Sequence, residues 1–317
     1  SNCIDFDSHN TETLYDSIAM CSENLMEEYL DTGKISRQAI KENRRITLLS
    51  FLHSKTAVIG FLITAVMILL ALLAPVLAPE GPYVNDAANR LKAPSALYIM
   101  GTDKLGRSVW VRILYGIRIS LIVGGVTTIV SMVLGTIFGI LAGYFQVMDT
   151  IVMRICESLA AIPPILMAIA LMSAFSSDMK SVIIAMCIVY TPVIARVARA
   201  STLSVKEMTY IEAIKSQGAG TLTVLFSHIL PNILSPVIVQ GTYTFAIAII
   251  LEAALSFLGA GIPAPIPSLG NILYEAKGVI FNSWWMTIFP SIAMVLLAVG
   301  INLLGDGIRD VLDPTSN

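Results

Sequence analysis

The sequence predicts an all-α, polytopic membrane protein with about six transmembrane helices. Of its 317 residues, 56% are hydrophobic and 13% are charged, and the mean hydropathy is +0.78. Soluble domains are about 45–50% apolar and about 25% charged, so a soluble fold could not bury this much apolar surface. The apolar residues also form six runs long enough for helices of about 20 residues, which cross about 30 Å of hydrocarbon. The net charge of −2 and the absence of a basic domain in the sequence give no indication of a nucleic-acid partner.

Residues 1–56 are predicted to form a cytoplasmic N-terminal extension that is first acidic and then basic. Residues 1–33 contain eight carboxylates and no Lys or Arg. Six basic side chains follow before the first span, and they predict an anchor on the inner side of the membrane. The acidic part is compatible either with one or two short helices or with a solvated tail. The first apolar run is too long for the hydrophobic region of a signal peptide, so we expect it to remain in the membrane.

The six spans are placed near residues 57–78, 118–145, 151–175, 179–200, 233–258 and 284–305. The segments 79–117 and 259–283 are rich in Pro and Gly and are predicted to be outer segments. With the N-terminus inside, 12 of the 20 Lys and Arg residues lie on the inner side, which favours this orientation weakly. The C-terminal tail, 309–317, is then also inside.

Two features of the spans are candidates for the transport pathway. Pro163 and Pro164 lie in the third span, where neither ring nitrogen can donate a helical hydrogen bond, so the sequence predicts a kink or a local break. Irregular backbone at this depth is tolerated only against protein or a wet cavity, although helix packing alone explains it equally well. Glu252 lies in the fifth span, and an ionisable group there is a functional candidate by default. The alternative is a carboxylate that is solvated or paired with a polar neighbour.

Three glycines of the second span, Gly135, Gly139 and Gly143, recur at intervals of four residues. Glycines at this spacing lie on one face of a helix and allow a neighbouring backbone to approach closely. They predict tight helix packing, within the chain or between subunits, and carry no information about a substrate. The four cysteines have neither the spacing of a disulfide framework nor that of a metal site.

The run Gly101–Ser108 nearly fits the phosphate-binding pattern G-x-x-x-x-G-K-[ST]. Arg107 stands where that pattern requires Lys, and the flanking sequence does not predict a strand–loop–helix unit. We therefore expect no nucleotide or other cofactor to bind this chain. If transport is driven by ATP, the nucleotide and its Mg²⁺ are expected on a separate ATPase.

The segment at about 204–232 is the longest polar interruption in the second half of the chain. It predicts a short amphipathic helix, followed by a turn in which Gly218 adopts a left-handed conformation. Such a helix could lie on the membrane surface, or it could enter a groove of a partner protein. The candidate partner-docking residues are Glu207, Tyr210, Ile211, Glu212, Ala213, Ile214 and Gly218.

Several motifs together resemble the C-type permease subunit of the dipeptide, oligopeptide and nickel ABC importers, which has the type I importer (MetI-like) permease fold. The matching runs are Gly101–Arg107, Tyr115–Leu121, Asp149–Pro164, Glu212–Asn232, Glu252–Gly259 and Gly305–Pro314, and the resemblance covers about residues 50–314. The run containing Glu212 and Gly218 resembles the EAA loop, on which the ATPase docks. The sequence departs from the family pattern at Ser108, Ile214 and His228.

The resemblance implies that the chain forms half of a translocation pathway in the cytoplasmic (inner) membrane of a prokaryote. Residues 118–308 would be its five-helix core. The implied partners are a homologous B-type permease, two cytoplasmic ABC ATPases that hold ATP and Mg²⁺, and an extracytoplasmic binding protein. The implied substrates are peptides, with nickel or other small solutes as alternatives.

The resemblance also assigns roles within the coupling loop. Glu212 is expected to order the helix through a local hydrogen bond or ion pair, and Ile211 and Ile214 are expected to fill the ATPase groove. Glu212→Ala or Gly218→Asp should uncouple transport or release the ATPases. Two alternatives remain open from the residues alone. One is an ion-coupled secondary transporter, for which Glu252 is the one candidate; the other is a membrane scaffold without transport activity.

Overall fold

The computed structural model describes residues 54–175 and 178–312, so the predicted acidic extension lies outside the described residues. Within them the regular secondary structure is helical, apart from one isolated bridge between Thr102 and Ser108. The principal helices are α1 Lys55–Leu77, α2 Val109–Tyr144, α3 Gln146–Ala160, α4 Pro164–Ala174, α5 Met179–Lys206, α6 Thr209–Ser216, α7 Leu230–Leu258, α8 Leu269–Ala276 and α9 Trp285–Leu312. The predicted all-α class is confirmed.

Five long apolar helices can cross a membrane, and the sixth predicted span is divided. The five are α1, α2, α5, α9 and the continuous helical run Thr221–Leu258, which contains α7. The divided span consists of α3 and α4, which meet at an angle of 94° across the Pro163-Pro164 step. The predicted break is therefore confirmed, and it is sharper than a kink. Both prolines are exposed on the surface of this chain.

Helix α2 begins at Val109, well before the predicted start at 118. Hydropathy placed the boundary too late because Arg112 and Arg118 interrupt the apolar run. In the structure Arg112 is only 1% exposed, since two carboxylates neutralise its guanidinium. The predicted outer segment 79–117 is correspondingly shorter and ends at Ser108, which precedes the helix.

The fifth span also begins earlier than predicted, at Thr221 instead of 233. Pro231 favours a start of the span near this position, yet the backbone before it is already helical. A π-helical turn, Val224–Ile229, precedes the proline, and Leu230 N donates to the carbonyl of Leu225. The wider turn accommodates a residue that has no N–H to donate and whose ring would crowd a regular helix.

The glycine face of α2 packs against α5, as the small-residue pattern predicts. A Cβ atom on Gly139 would lie 2.5 Å from the Cβ of Ala198, and one on Gly143 would lie 2.7 Å from the Cβ of Thr202. Gly135 faces Ile194 in the same way. These glycines therefore pack two helices of one chain, which resolves the question of whether the contact lies within or between subunits.

The two ends of the helix bundle can be told apart by what they carry. One end, here called the α6 end, contains the last turns of α2, α5 and α9 together with α6. The opposite end contains the first turns of α2 and α9, the segment 78–108 and α8. There Trp285 Nε1 donates to the carbonyl of Thr102 at 3.1 Å, which attaches the segment before α2 to the start of α9.

Candidate functional site

The α6 segment has the geometry of a short helix closed by a glycine turn, as predicted. Gly218 has φ +87°, and its N–H donates to the carbonyl of Lys215 at 3.0 Å. Ala219 N donates to the carbonyl of Ile214 at 3.3 Å. These two bonds form the Schellman arrangement, which ends a helix where one residue adopts a left-handed conformation. The predicted role of Gly218 in the turn is thereby confirmed.

One face of α6 is buried in the chain itself. Ile211 is 0% exposed and belongs to an apolar cluster with residues of α5 and α7, and Ile214 packs against the same cluster. The expectation that Ile211 and Ile214 would fill a groove of a partner is therefore corrected. A short helix is marginal unless its apolar face is covered, and here α5 and α7 of the same chain cover it.

Polar and aromatic contacts complete the attachment of α6. Asn232 Nδ2 donates to Tyr210 Oη at 3.0 Å and also donates to the carbonyl of His228 at 2.6 Å. Lys215 Nζ lies 5.1 Å from the ring centroid of Tyr144, the last residue of α2. Glu212, in contrast, is exposed, and its carboxylate makes no hydrogen bond or ion pair within the described residues. The expectation that Glu212 orders the helix through such a bond is corrected.

The outward face of this segment presents apolar side chains to the surroundings. The α6 surface is defined here as the exposed residues Glu207, Met208, Tyr210, Glu212, Ala213, Leu222 and Phe226. Leu222 and Phe226 are 70% and 66% exposed, and they stand four residues apart on one helical face. Large exposed apolar side chains beside charged ones are typical of a protein interaction site.

The helical run that carries Leu222 and Phe226 is longer than the hydrocarbon layer is thick. The helical run Thr221–Leu258 contains 38 residues, which gives a length of about 57 Å, whereas the layer is about 30 Å thick. With Leu258 at one boundary, Phe226 projects beyond the other boundary by about 18 Å. Burial in lipid therefore does not account for the exposure of Leu222 and Phe226.

The sequence interpretation missed Leu222 and Phe226. The signal was present as apolar residues four apart, in a segment that the sequence interpretation assigned to the polar loop at about 204–232. Tyr144 was also missed, since its contacts involve Lys206 and Lys215, which lie 62 and 71 positions away in sequence. Only the folded backbone brings these three side chains together.

Glu252 is fully enclosed within the chain. It is 0% exposed and accepts hydrogen bonds from Ser120 Oγ at 3.1 Å and from Ser256 Oγ at 2.8 Å. Ser256 Oγ also accepts a bond from Ile262 N at 3.2 Å, which fixes the segment after α7. The carboxylate is thus paired with polar neighbours, the second of the two interpretations left open by the sequence.

At the opposite end, four charged residues form a buried cluster. Asp103 Oδ2 accepts from Arg107 Nε at 2.6 Å and from Arg112 Nη1 at 2.7 Å. Glu275 of α8 accepts from Arg107 Nη2 at 2.8 Å and from Arg112 Nη2 at 3.0 Å. The cluster is electrically balanced, with two carboxylates and two guanidinium groups, and it joins the segment before α2 to α8.

The same cluster engages Arg107 of the run Gly101–Ser108, which nearly fits the phosphate-binding pattern. Arg107, which stands at the position of the phosphate-binding Lys, is only 6% exposed and is engaged by Asp103 and Glu275. Gly101 has φ +74°, and its Cα faces the indole of Trp285, where a Cβ atom would lie 2.6 Å from Nε1. The glycine therefore provides close packing against the start of α9.

Comparison with known proteins identifies the family to which these features correspond. Residues 135–316 match the family model described as "Binding-protein-dependent transport system inner membrane component". Residues 44–94 match the model described as "N-terminal TM domain of oligopeptide transport permease C". These two matches include most of residues 50–314, over which the sequence motifs resemble the same family.

Curated relatives are similar over most of their length. The dipeptide transport system permease protein DppC of Alkalihalophilus pseudofirmus is 39% identical over 262 residues, 82% of this chain and 86% of the relative. The glutathione transport system permease protein GsiD of Pectobacterium atrosepticum is 42% identical over 268 residues, 83% and 88% of the two chains. The di/tripeptide transport system permease protein DppC of Pseudomonas aeruginosa is 35% identical over 272 residues, 84% and 90%.

Proposed function

This chain belongs to the family of binding-protein-dependent transport system inner membrane components, and we propose that its α6 surface is the docking site for a cytoplasmic ABC ATPase. As a member of this family it is a permease subunit of an ABC importer. The observation that supports docking is that the segment Thr209–Ile229 has one face buried in the chain and another face exposed. Ile211 anchors α6 to the permease, whereas Tyr210, Leu222 and Phe226 remain uncovered.

The rest of the proposed assembly follows from the same family. A homologous B-type permease supplies the second half of the pathway, two ATPases hold ATP and Mg²⁺, and an extracytoplasmic protein delivers the substrate. The α6 end faces the cytoplasm, so both termini lie inside. The proposed substrates are short peptides, because the two DppC relatives are a dipeptide and a di/tripeptide transport permease.

The alternative of an ion-coupled secondary transporter rested on Glu252. Ion coupling requires an ionisable group that solvent or the transported ion can reach. Glu252 is enclosed by Ser120 and Ser256, which gives it a role in holding α2 against α7. Pro163 and Pro164 remain the candidate pathway elements, since both are exposed at the break between α3 and α4.

Copurification tests the docking proposal directly. The chain, expressed with its partner subunits, is purified in a mild detergent, and the proteins that accompany it are identified by mass spectrometry. We expect a homologous permease and ATPases that carry nucleotide-binding motifs. Recovery of the chain alone or as a homo-oligomer would contradict the proposal.

Replacement of Phe226 by Ser should release the ATPases. The ring is 66% exposed at the α6 end, so the change removes apolar contact area from the proposed interface without leaving a cavity in the permease. We expect the amount of copurified ATPase to fall at least about tenfold, which corresponds to the loss of about 1.4 kcal/mol of binding free energy.

Phe281→Ser is the matched control, because Phe281 is 98% exposed but lies at the opposite end of the bundle. It should leave ATPase binding unchanged. Equal recovery of ATPase with both variants would exclude Phe226 from the interface.

Replacement of Gly218 by Val should weaken docking of the ATPase, because it strains the backbone of the turn that ends α6. A Cβ at this position meets no atom within 4 Å, so crowding is not the cause. The φ of +87° is one that a β-branched residue rarely adopts, and forcing it costs about 1–3 kcal/mol. We expect lower substrate uptake with normal membrane insertion, measured in vesicles. Gly220→Val, at a glycine with the same open surroundings and φ −66°, is the control and should transport normally.

A further inference from the structure

Tyr144 forms the meeting point of α2, α5 and α6. Its ring centroid lies 5.4 Å from Lys206 Nζ, at the end of α5, and 5.1 Å from Lys215 Nζ, in the last turn of α6. Ammonium groups within about 6 Å of an aromatic ring are attracted by its negative face. Lys206 Nζ also donates to the carbonyl of Tyr144 at 2.9 Å, which places a cation at the C-terminal end of the α2 dipole.

Apolar contacts reinforce this junction. Tyr144 and Ile214 both pack against the buried cluster that contains Ile211. The Tyr144 hydroxyl makes no hydrogen bond within the described part of the chain. The contacts of the side chain are therefore made by the aromatic ring, and the phenolic oxygen contributes none of them.

Helix α2 extends from this junction to the opposite end of the bundle. It contains 36 residues, about 54 Å of continuous helix. Near its other end Arg112 bonds to Asp103 and Glu275, and Ser120 bonds to Glu252. Helix α2 is thus held by charged or polar groups at both ends, with the glycine contacts to α5 between them.

We propose that Tyr144 is the positioning residue that transmits displacement of α6 to α2. The proposal rests on ATPase docking at the α6 surface. When the ATPases move α6, Lys215 and Ile214 move with it, and the ring of Tyr144 passes that displacement to α2. Coupling requires an element whose arrangement both sites bias, and α2 contacts the α6 junction at one end and the Glu252 and Asp103 networks at the other.

The test compares transport with ATP hydrolysis in the assembled transporter, reconstituted in liposomes with its partner subunits. Tyr144→Leu removes the ring but retains apolar volume. We expect the ATPases to remain bound and to hydrolyse ATP, while the number of substrate molecules transported per ATP falls about tenfold, within the usual range of coupling energies. Tyr144→Phe retains the ring and should restore the normal ratio. A merely structural role would lower ATPase binding or protein yield instead of this ratio.

Lys215→Met tests the contact from the α6 side, with Lys277→Met as its control. Lys277 Nζ lies 3.9 Å from the ring centroid of Phe257 at the opposite end of the bundle. Its replacement therefore removes an ammonium–aromatic contact that does not involve α6. We expect only Lys215→Met to lower the number of substrate molecules transported per ATP.

An unchanged ratio in Tyr144→Leu, or loss of the ATPases from that variant, would overturn the transmission role of Tyr144. Absence of ATPases from the wild-type complex would overturn the docking proposal, and this one with it.

Discussion

Replacement of Asp103 by Ala should destabilise the protein by about 3–5 kcal/mol, because it leaves two buried guanidinium groups with one carboxylate. Asp103 is 0% exposed and accepts four hydrogen bonds. Two come from Arg107 Nε and Arg112 Nη1, and two from the backbone N–H groups of Leu105 and Arg107. The remaining carboxylate, Glu275, is 22% exposed and cannot neutralise both cations.

Thermal unfolding in detergent measures the effect. Cys156 and Cys187 are buried free thiols, so their reaction with a thiol-specific dye reports loss of the native fold. Asp86→Ala is the matched control, since Asp86 is partly exposed and its carboxylate, within the described residues, accepts hydrogen bonds only from Ala88 and Asn89. Its loss should cost about 1 kcal/mol, the usual contribution of a helix cap. Equal unfolding temperatures for the two variants would contradict the structural importance of the charge cluster.

Replacement of Gly139 by Ala should separate α2 from α5. The added Cβ would lie 2.5 Å from the Cβ of Ala198 and 2.6 Å from the carbonyl oxygen of Ala195. Neither atom belongs to a flexible side chain, so the two helix backbones must move apart. Overpacking of this kind costs about 1–3 kcal/mol, and here it also disturbs the neighbouring contacts of Gly135 and Gly143. We expect a lower unfolding temperature and loss of transport.

Gly125→Ala provides the control within the same helix. A Cβ at Gly125 meets no atom within 4 Å. Alanine favours a helix over glycine by about 1 kcal/mol, so this variant should be as stable as the wild type or more stable. The same Gly→Ala change in α2 is therefore expected to stabilise the protein at Gly125 and to destabilise it at Gly139. A stabilising effect of Gly139→Ala would show that the α2–α5 contact is looser than the structure has it.

Hydropathy and residue-specific backbone rules predicted most of the fold. The positions of α1, α5 and α9 follow from apolar runs, and the break between α3 and α4 follows from Pro163-Pro164. The boundaries that failed, at Val109 and Thr221, share one cause. At each, a charged residue or a proline suggested that the helix starts later than it does. Ion pairs of Arg112 allow α2 to start at Val109, and a π-helical turn before Pro231 allows the fifth span to start at Thr221.

The sequence predicted the helix and the turn of the candidate segment. It did not predict which face of that helix is buried within the chain. The α6 helix, its glycine turn and the exposure of Tyr210 and Glu212 match the expected docking segment. Ile211, expected to face a partner, is buried in the chain. Periodicity identifies the apolar face of a short helix but does not indicate which protein covers it. That choice depends on residues of α5 and α7 that lie elsewhere in the sequence.

The sequence by itself determined that the chain is an all-α membrane permease of the importer family, that α3 and α4 are separated, and that Gly218 ends α6. The family follows from the sequence motifs and the comparison with relatives. The other properties depend on hydropathy, on the fixed geometry of Pro and on the conformational freedom of Gly, which are local. Only the tertiary structure decided that Asp103, Arg112 and Glu275 form one buried cluster, that Glu252 is enclosed, and that Tyr144 joins three helices. These contacts unite residues as much as 163 positions apart, and such contacts exist only once packing has fixed the helices in register.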